Sequence, residues 1–143
     1  MFVDQIQGTQ RLAAVSAIGK EFPLHCTANG NALMALLPDD RRERLLAIRL
    51  KRYTDATIVD RRVLESNLRE VEKSDLAYDL EEHSASIWAV GTAFLDSLGR
   101  EYSLSIPVPA GRFGGKRQLL AKLLKRTKAE LIGHIGLTHS PNG

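Results

Sequence analysis

The adjacent pair His25 and Cys26 is the first feature of the sequence that could do chemistry. An imidazole can take the proton of a thiol and activate it as a nucleophile. Adjacent side chains rarely face each other, so a catalytic couple would need a histidine from elsewhere in the chain, such as His83 or His134. The competing interpretation is that Cys26 is a small buried residue near a helix start and that His25 belongs to a turn. We favour this second interpretation and assign no catalytic residue.

A cluster of acidic residues and a histidine lies between positions 79 and 83. Asp79, Glu81, Glu82 and His83 are residue types that bind divalent metal ions. If this stretch is an extended strand, Asp79 and Glu81 share one face, while Glu82 and His83 begin the following turn. A single acid that projects into a polar pocket, or a solvated face, explains the pattern without a metal. We therefore expect neither a metal ion nor a cofactor.

Residues 27–31, T-A-N-G-N, have the pattern of a helix start. With Thr27 as the N-cap, the backbone N–H groups of Ala28, Asn29 and Gly30 have no partner within the helix. The helix dipole adds partial positive charge at the same place, so this start is suited to a carboxylate. The alternative is an ordinary helix start whose N–H groups bind water or the Thr27 hydroxyl. This stretch alone leaves both interpretations open.

The elements that position these residues follow from the spacing of apolar residues. Helical periodicity predicts helices, and alternating or continuous apolar runs predict strands. Asp60 is the predicted N-cap of the third helix, and residues 96–99 form a predicted tight turn. The predicted helices are 28–37, 40–48, 60–71 and 115–132; the predicted strands begin at residue 76 and cover 87–94 and 102–108, after a β-hairpin within residues 2–18.

This order of elements indicates the fold class. Two strands, three helices, three strands and a last helix, joined mainly by hairpins, favour an α+β fold with a largely antiparallel sheet covered by helices. The sequence contains neither Gly-x-Gly-x-x-Gly nor Gly-Lys-Ser/Thr. A dinucleotide-binding or P-loop domain is therefore excluded.

Length and composition limit the classes of protein that fit. The 143 residues correspond to about one domain, and 43% hydrophobic with 26% charged residues is typical of a globular chain. One cysteine excludes an internal disulfide framework. The apolar runs are shorter than the roughly 20 residues needed to cross a bilayer. We therefore expect a cytoplasmic domain without a membrane partner.

The last predicted helix is markedly basic, although the net charge of the whole chain is only +3. Direct DNA contact through these charges is conceivable, but a solvated face or the rim of an oligomer interface is more common. The helix has no interleaved aromatic residues with which to read bases. Its basic residues are Lys116, Arg117, Lys122, Lys125, Arg126 and Lys128.

Four segments together resemble the effector domain of the isocitrate lyase regulator (IclR) family of bacterial transcription factors. The similarity covers about residues 3–136, and the segments occur in the family's order and spacing. They are P-L-H-C-T-A-N-G-N-A-L-M-A-L-L-P at 23–38, T-I-V-D at 57–60, Y-D-L-E-E-H at 78–83 and S-I-P-V-P-A-G-R-F at 105–113. The resemblance implies a GAF-like, profilin-like curved antiparallel sheet that is flanked by helices and forms a small-molecule pocket.

The resemblance also implies where the ligand binds. Positions that hold a cysteine and a serine in keto-acid-binding members are Ala89 and Pro107 in this sequence. A larger acid, aromatic or sugar-derived, therefore fits better, with its carboxylate on the Ala28 and Asn29 N–H groups and with Asp79 accepting from a ligand hydroxyl or an ordered water. The expected ligand-binding residues are Thr27, Ala28, Asn29, Gly30, Asp79, Glu81, Ile87, Ala89, Ser105 and Pro107.

The function implied by the resemblance is a non-enzymatic sensor. We expect residues 1–136 to form one effector domain, residues 137–143 a frayed tail, and the family's N-terminal winged helix-turn-helix domain to be absent from this chain. The expected partners are a small organic acid effector and further copies of the chain in a homodimer or homotetramer, with operator DNA bound only through the missing domain. The alternatives are a small-molecule hydrolase or lyase that uses Cys26 or Asp79 with a histidine, and an oligomerisation module with a collapsed pocket.

Overall fold

The computed structural model describes residues 22–134, and of His134 only the backbone. The predicted β-hairpin within residues 2–18 and the predicted frayed tail at 137–143 lie outside the described residues.

Helices and strands follow one another in the predicted order, with bounds close to those expected. The helices are α1 (Ala28–Leu36), α2 (Asp39–Leu46), α3 (Arg61–Ser74), α4 (Ala110–Phe113) and α5 (Arg117–His134), with a 3-10 turn at Gly114–Lys116; the strands are β1 (Ala77–Leu80), β2 (Ile87–Leu95) and β3 (Glu101–Pro109). The α+β class is confirmed.

Polar side chains begin and end the helices where the sequence predicts it. The Asp60 carboxylate accepts hydrogen bonds from the N–H groups of Arg62 and Val63, so Asp60 is the N-cap of α3. Asp75 ends α3 in a left-handed conformation with φ 61°. The chain then turns directly into β1.

The three strands form an antiparallel sheet in the order β1-β2-β3. Asp96 organises the predicted turn between β2 and β3, because its Oδ1 accepts from the N–H groups of Leu98 and Arg100, both at 2.9 Å. The register places Asp79 opposite Ala89 and Ala89 opposite Pro107. These three residues therefore form one row across the sheet.

Apolar residues form separate cores on the two faces of the sheet. Met34, Leu46, Leu64 and Leu68 pack together among α1, α2 and α3. On the opposite face, Val90 and Phe113 pack with Leu76 of the β1 approach and Leu124 of α5. The sheet is thus enclosed by the α1 layer on one side and by α5 on the other.

The leucines of helix α5 differ in their exposure. Leu124 is buried, but Leu119 and Leu123 are 54% and 43% exposed. The basic residues are likewise not all solvated. Lys128 donates to the Asp75 carboxylate at 2.7 Å, and the Arg117 guanidinium lies 4.1 Å from the centre of the Tyr78 ring.

No helix within residues 22–134 has the length and apolar character needed to span a bilayer.

Candidate ligand-binding site

The start of α1 is built as the sequence predicts, with Thr27 as its N-cap. The Thr27 hydroxyl donates to the Pro23 carbonyl at 2.6 Å and accepts from the Gly30 N–H at 3.0 Å. Of the three predicted free donors, Gly30 is therefore already paired. The N–H groups of Ala28 and Asn29 have no acceptor among residues 22–134. Two adjacent donors remain at the positive end of the helix dipole.

Two glycines allow the start of α1 to pack closely against neighbouring backbone. A Cβ on Gly30 would come within 2.4 Å of the Leu24 backbone, and one on Gly91 would come within 2.9 Å of the Ala28 backbone. Any side chain at either position would separate the start of α1 from the backbone that it packs against. The missing side chain of Gly91 thus lets the Ala28 backbone pack directly against β2.

The Asn29 side chain joins α1 to β3. Its Nδ2 donates to Ser103 Oγ at 3.0 Å, and Ser105 Oγ donates to its Oδ1 at 2.7 Å. Asn29 is buried. The sequence analysis missed Ser103, although strand alternation puts Ser103 and Ser105 on the same face and could have identified it.

Asp79 lies on the face of the sheet that α1 covers. Its row across the strands is next to the row on which α1 packs. It is 6% exposed, and its Oδ1 accepts from the Glu82 N–H at 2.8 Å. Burial raises the pKa of Asp79 to about 6, although the backbone N–H groups of Glu82 and His83 oppose the shift. The carboxyl can accept a hydrogen bond when ionised and donate one when protonated.

Glu82 is a second buried carboxyl that the sequence analysis treated only as the start of a turn. It is 8% exposed, and burial together with the charge of Asp79 raises its pKa to about 7. Its backbone carbonyl accepts from the hydroxyl of Thr57, a buried residue of the connection between α2 and α3. No signal in the sequence places residue 57 against residue 82.

Glu81 points away from Asp79, so the expectation that these two side chains share a face is wrong. Strand β1 ends at Leu80, and Glu81 has a left-handed φ of 64°, which ends the alternation. Its carboxylate accepts from the Ser86 N–H at 2.6 Å and from Trp88 Nε1 at 3.4 Å.

The candidate nucleophile does not form a catalytic arrangement. Cys26 is fully buried, and burial, followed by the charges of Asp79 and Glu82, raises its pKa to about 12. A thiol this hard to ionise is a poor nucleophile. The His25 ring lies 2.7 Å from the Lys51 carbonyl instead. In the described part of the chain, no group of three or more His, Cys, Asp or Glu side chains could hold a metal ion.

The expected site residues are close-packed in this structure. Ala28, Asp79 and Ala89 are all buried, and Ile87, Ser105 and Pro107 are half-buried. Two cavities of about 510 and 500 Å³ lie elsewhere, one beside α2 and one between α3 and β1. Asp79 and Ala89 line neither cavity, although Asn31 and Glu82 line the second.

Similar proteins define the class to which this chain belongs. It is 45% identical over 122 residues to the HTH-type transcriptional regulator Rv1719 of Mycobacterium tuberculosis, which covers 85% of this chain and 47% of that protein. The family described as bacterial transcriptional regulator IclR C-terminal matches residues 1–132. The class that these matches define is the C-terminal domain of bacterial transcriptional regulators. This chain belongs to the IclR family, as its sequence motifs indicate.

Solved structures agree with this assignment. IclR of Thermotoga maritima superposes with a TM-score of 0.80 at 30% identity, covering 86% of this chain and 51% of that one. The inducer-binding domain of a double mutant of PobR from Acinetobacter, solved with 3-hydroxybenzoic acid, superposes with a TM-score of 0.71 at 26% identity over 80% of this chain and 69% of that one. The chain spans about half the length of Rv1719 and of the Thermotoga protein.

Proposed function

We propose that this chain is the small-molecule-sensing domain of its regulator and binds an organic acid between the start of α1 and the sheet. The observation that carries the proposal is the pair of Ala28 and Asn29 N–H groups, which have no acceptor among residues 22–134 and lie over the sheet face that holds Asp79. Two backbone donors at a helix start are a suitable seat for a carboxylate.

The ligand in this proposal carries a carboxylate at one end and a hydroxyl at the other. The carboxylate lies on the Ala28 and Asn29 N–H groups, while the ionised Asp79 accepts from the ligand hydroxyl or from an ordered water. Ile87, Ala89 and Pro107 provide apolar walls. A double mutant of PobR, whose inducer-binding domain was solved with 3-hydroxybenzoic acid, supports this class of ligand by similarity.

The other expected site residues act on these contacts indirectly. Thr27 and Gly30 fix the helix start through their mutual hydrogen bond, and Ser105 holds the Asn29 side chain. Glu81 binds the N–H groups of its own loop and of Trp88, so in this proposal it supports the loop beside Asp79.

In the whole regulator, residues 1–136 act as one effector domain. Ligand binding favours one arrangement of the effector domains in a homodimer or homotetramer, and this arrangement sets the spacing of N-terminal helix-turn-helix domains on operator DNA. Such a switch requires two states with different affinities for the ligand.

A thermal-shift screen tests the proposal. The chain is heated with 3-hydroxybenzoate, gluconate and pyruvate, because a ligand that binds only the folded state raises its melting temperature. We expect a saturable rise with a hydroxylated acid. Asp79→Asn should abolish that rise, while Asp55→Asn, in an exposed loop, should preserve it.

A flat response to all acids would instead favour an oligomerisation module with a collapsed pocket. The observation that favours this second function is the burial of Ala28, Asp79 and Ala89. A concentration-dependent association of the chain, together with the flat thermal response, would replace the sensor by this second function.

A further inference from the structure

The Asn29 side chain already fills the polar space between α1 and β3. Both ends of its amide are bonded, Nδ2 to Ser103 Oγ at 3.0 Å and Oδ1 to Ser105 Oγ at 2.7 Å. These bonds connect positions 74 and 76 residues apart, and Asn29 is 7% exposed. The same residue supplies one of the two free backbone N–H groups, so the side chain lies beside the proposed carboxylate seat.

This arrangement restricts what the two serines can do for a ligand. A hydroxyl has one hydrogen, and Ser105 gives its hydrogen to Asn29 Oδ1. Ser103 uses an oxygen lone pair for the Asn29 amide and keeps its hydrogen. Without the Asn29 side chain, both hydroxyls would face the helix start and could donate to an anion there. With the Asn29 side chain present, Ser105 has no hydrogen left to donate to a ligand, and the space beside Ser105 is filled.

A site that offers only these two N–H groups should bind small acids more weakly than large ones. A buried carboxylate must recover its lost hydration through hydrogen bonds, and two N–H groups recover only part of it. An acid of two or three carbons has little apolar surface with which to make up the difference. A larger acid gains additional free energy by burying a ring or chain against half-buried residues such as Ile87 and Pro107.

We propose that Asn29 is the residue that determines ligand size at this site, excluding two- and three-carbon acids by taking the hydrogen of Ser105 and filling the space beside both serines. The inference rests on the proposed carboxylate seat at the start of α1. It assigns to the Asn29 side chain the selection between small acids and larger hydroxylated acids.

The experiment measures pyruvate binding by titration calorimetry for the unsubstituted chain and for Asn29→Ala. We expect affinity for pyruvate to rise by about tenfold or more in the variant, as one added hydrogen bond to a charged group predicts. Adding Ser105→Ala should remove the gain. Asn29→Ser, too short to bridge both serines, should show the same gain and serves if the alanine variant does not fold.

A matched control is available on the same helix. Asn31 is also buried, and its Nδ2 donates to the carbonyls of Leu24 and Thr27, away from the serines. Asn31→Ala should lower the melting temperature without any gain for pyruvate. A purely structural role of Asn29 predicts the same pattern for both variants.

Equal pyruvate affinity in the unsubstituted chain and in the Asn29 variants, including no binding by either, would overturn the inference. The proposed function has a separate test, the Asp79-dependent binding of a hydroxylated acid by the unsubstituted chain. A gain for pyruvate in Asn29→Ala alongside no binding of larger acids would therefore support the inference about Asn29 and count against the proposed ligand class.

Discussion

At the scale of single residues, the proposed site has backbone N–H donors at one end and buried carboxyl groups at the other. Ala28 and Asn29 present backbone N–H groups, while Asp79 and Glu82 are carboxyls held in a buried environment beside Cys26. When ionised, the buried carboxyls repel a ligand that carries negative charge along its whole length. They favour a ligand whose only anionic group lies at the helix start.

The two carboxyls also make stability depend on pH. In the folded chain their pKa values rise from 3.8 and 4.5 to about 6 and about 7, so the folded state holds their protons more tightly than the unfolded state does. Their stabilising contribution is complete below about pH 4 and is lost as the pH rises through 6 and 7. The melting temperature should therefore fall between pH 5 and pH 8.

Glu82→Gln should flatten this fall, because the amide carries no charge to bury. We expect the variant to gain on the order of 2 kcal/mol in unfolding free energy relative to the unsubstituted chain at pH 8, and little at pH 5. Urea unfolding at the two pH values measures the difference. Glu70→Gln, on the exposed side of α3, is the control, and an equal effect in both variants would contradict the burial argument.

At the scale of elements, the position of α1 on the sheet decides whether the site exists. Gly91 allows the contact, and the Asn29 bridge to β3 adds hydrogen bonds to it. A helix start shifted by even an ångström would move both free N–H groups away from the face that holds Asp79.

Gly91→Ala should move the start of α1 away from β2. Its Cβ would lie 2.9 Å from the Ala28 carbonyl group, which requires a shift of backbone and not of a flexible side chain. We expect a loss of about 1–3 kcal/mol in unfolding free energy and the loss of acid binding. Gly111→Ala, where nothing lies within 4 Å of the added Cβ, should leave both unchanged. Unchanged acid binding in Gly91→Ala would show that the site lies elsewhere.

Local parts of this arrangement can be predicted from the sequence, and the long-range parts cannot. Thr27 and Asp60 are recognisable as N-caps because their short polar side chains bond N–H groups two or three residues on. The pairing of Asn29 with Ser103 depends on how α1 crosses β3, which no local pattern encodes. Glu81 was misassigned because a left-handed residue ends β1 one position earlier than the alternation implies.

At the scale of the whole molecule, this domain covers about half of a typical relative. Its proposed role in the regulator is to convert the presence of a small acid into a change in the arrangement of its partners. The differential affinity must arise within the domain, and the start of α1 is the element whose contacts a ligand would change. The central claim is therefore that a carboxylate binds there.

Backbone amide NMR tests this claim most directly. The ¹⁵N-labelled chain is titrated with 3-hydroxybenzoate and with gluconate, and the amide resonances of Ala28 and Asn29 are followed. We predict that one of these acids moves both resonances saturably, and that the movement is lost in Asp79→Asn. If neither acid moves them, or if saturable changes appear only at residues remote from α1 and β1, the claim is contradicted.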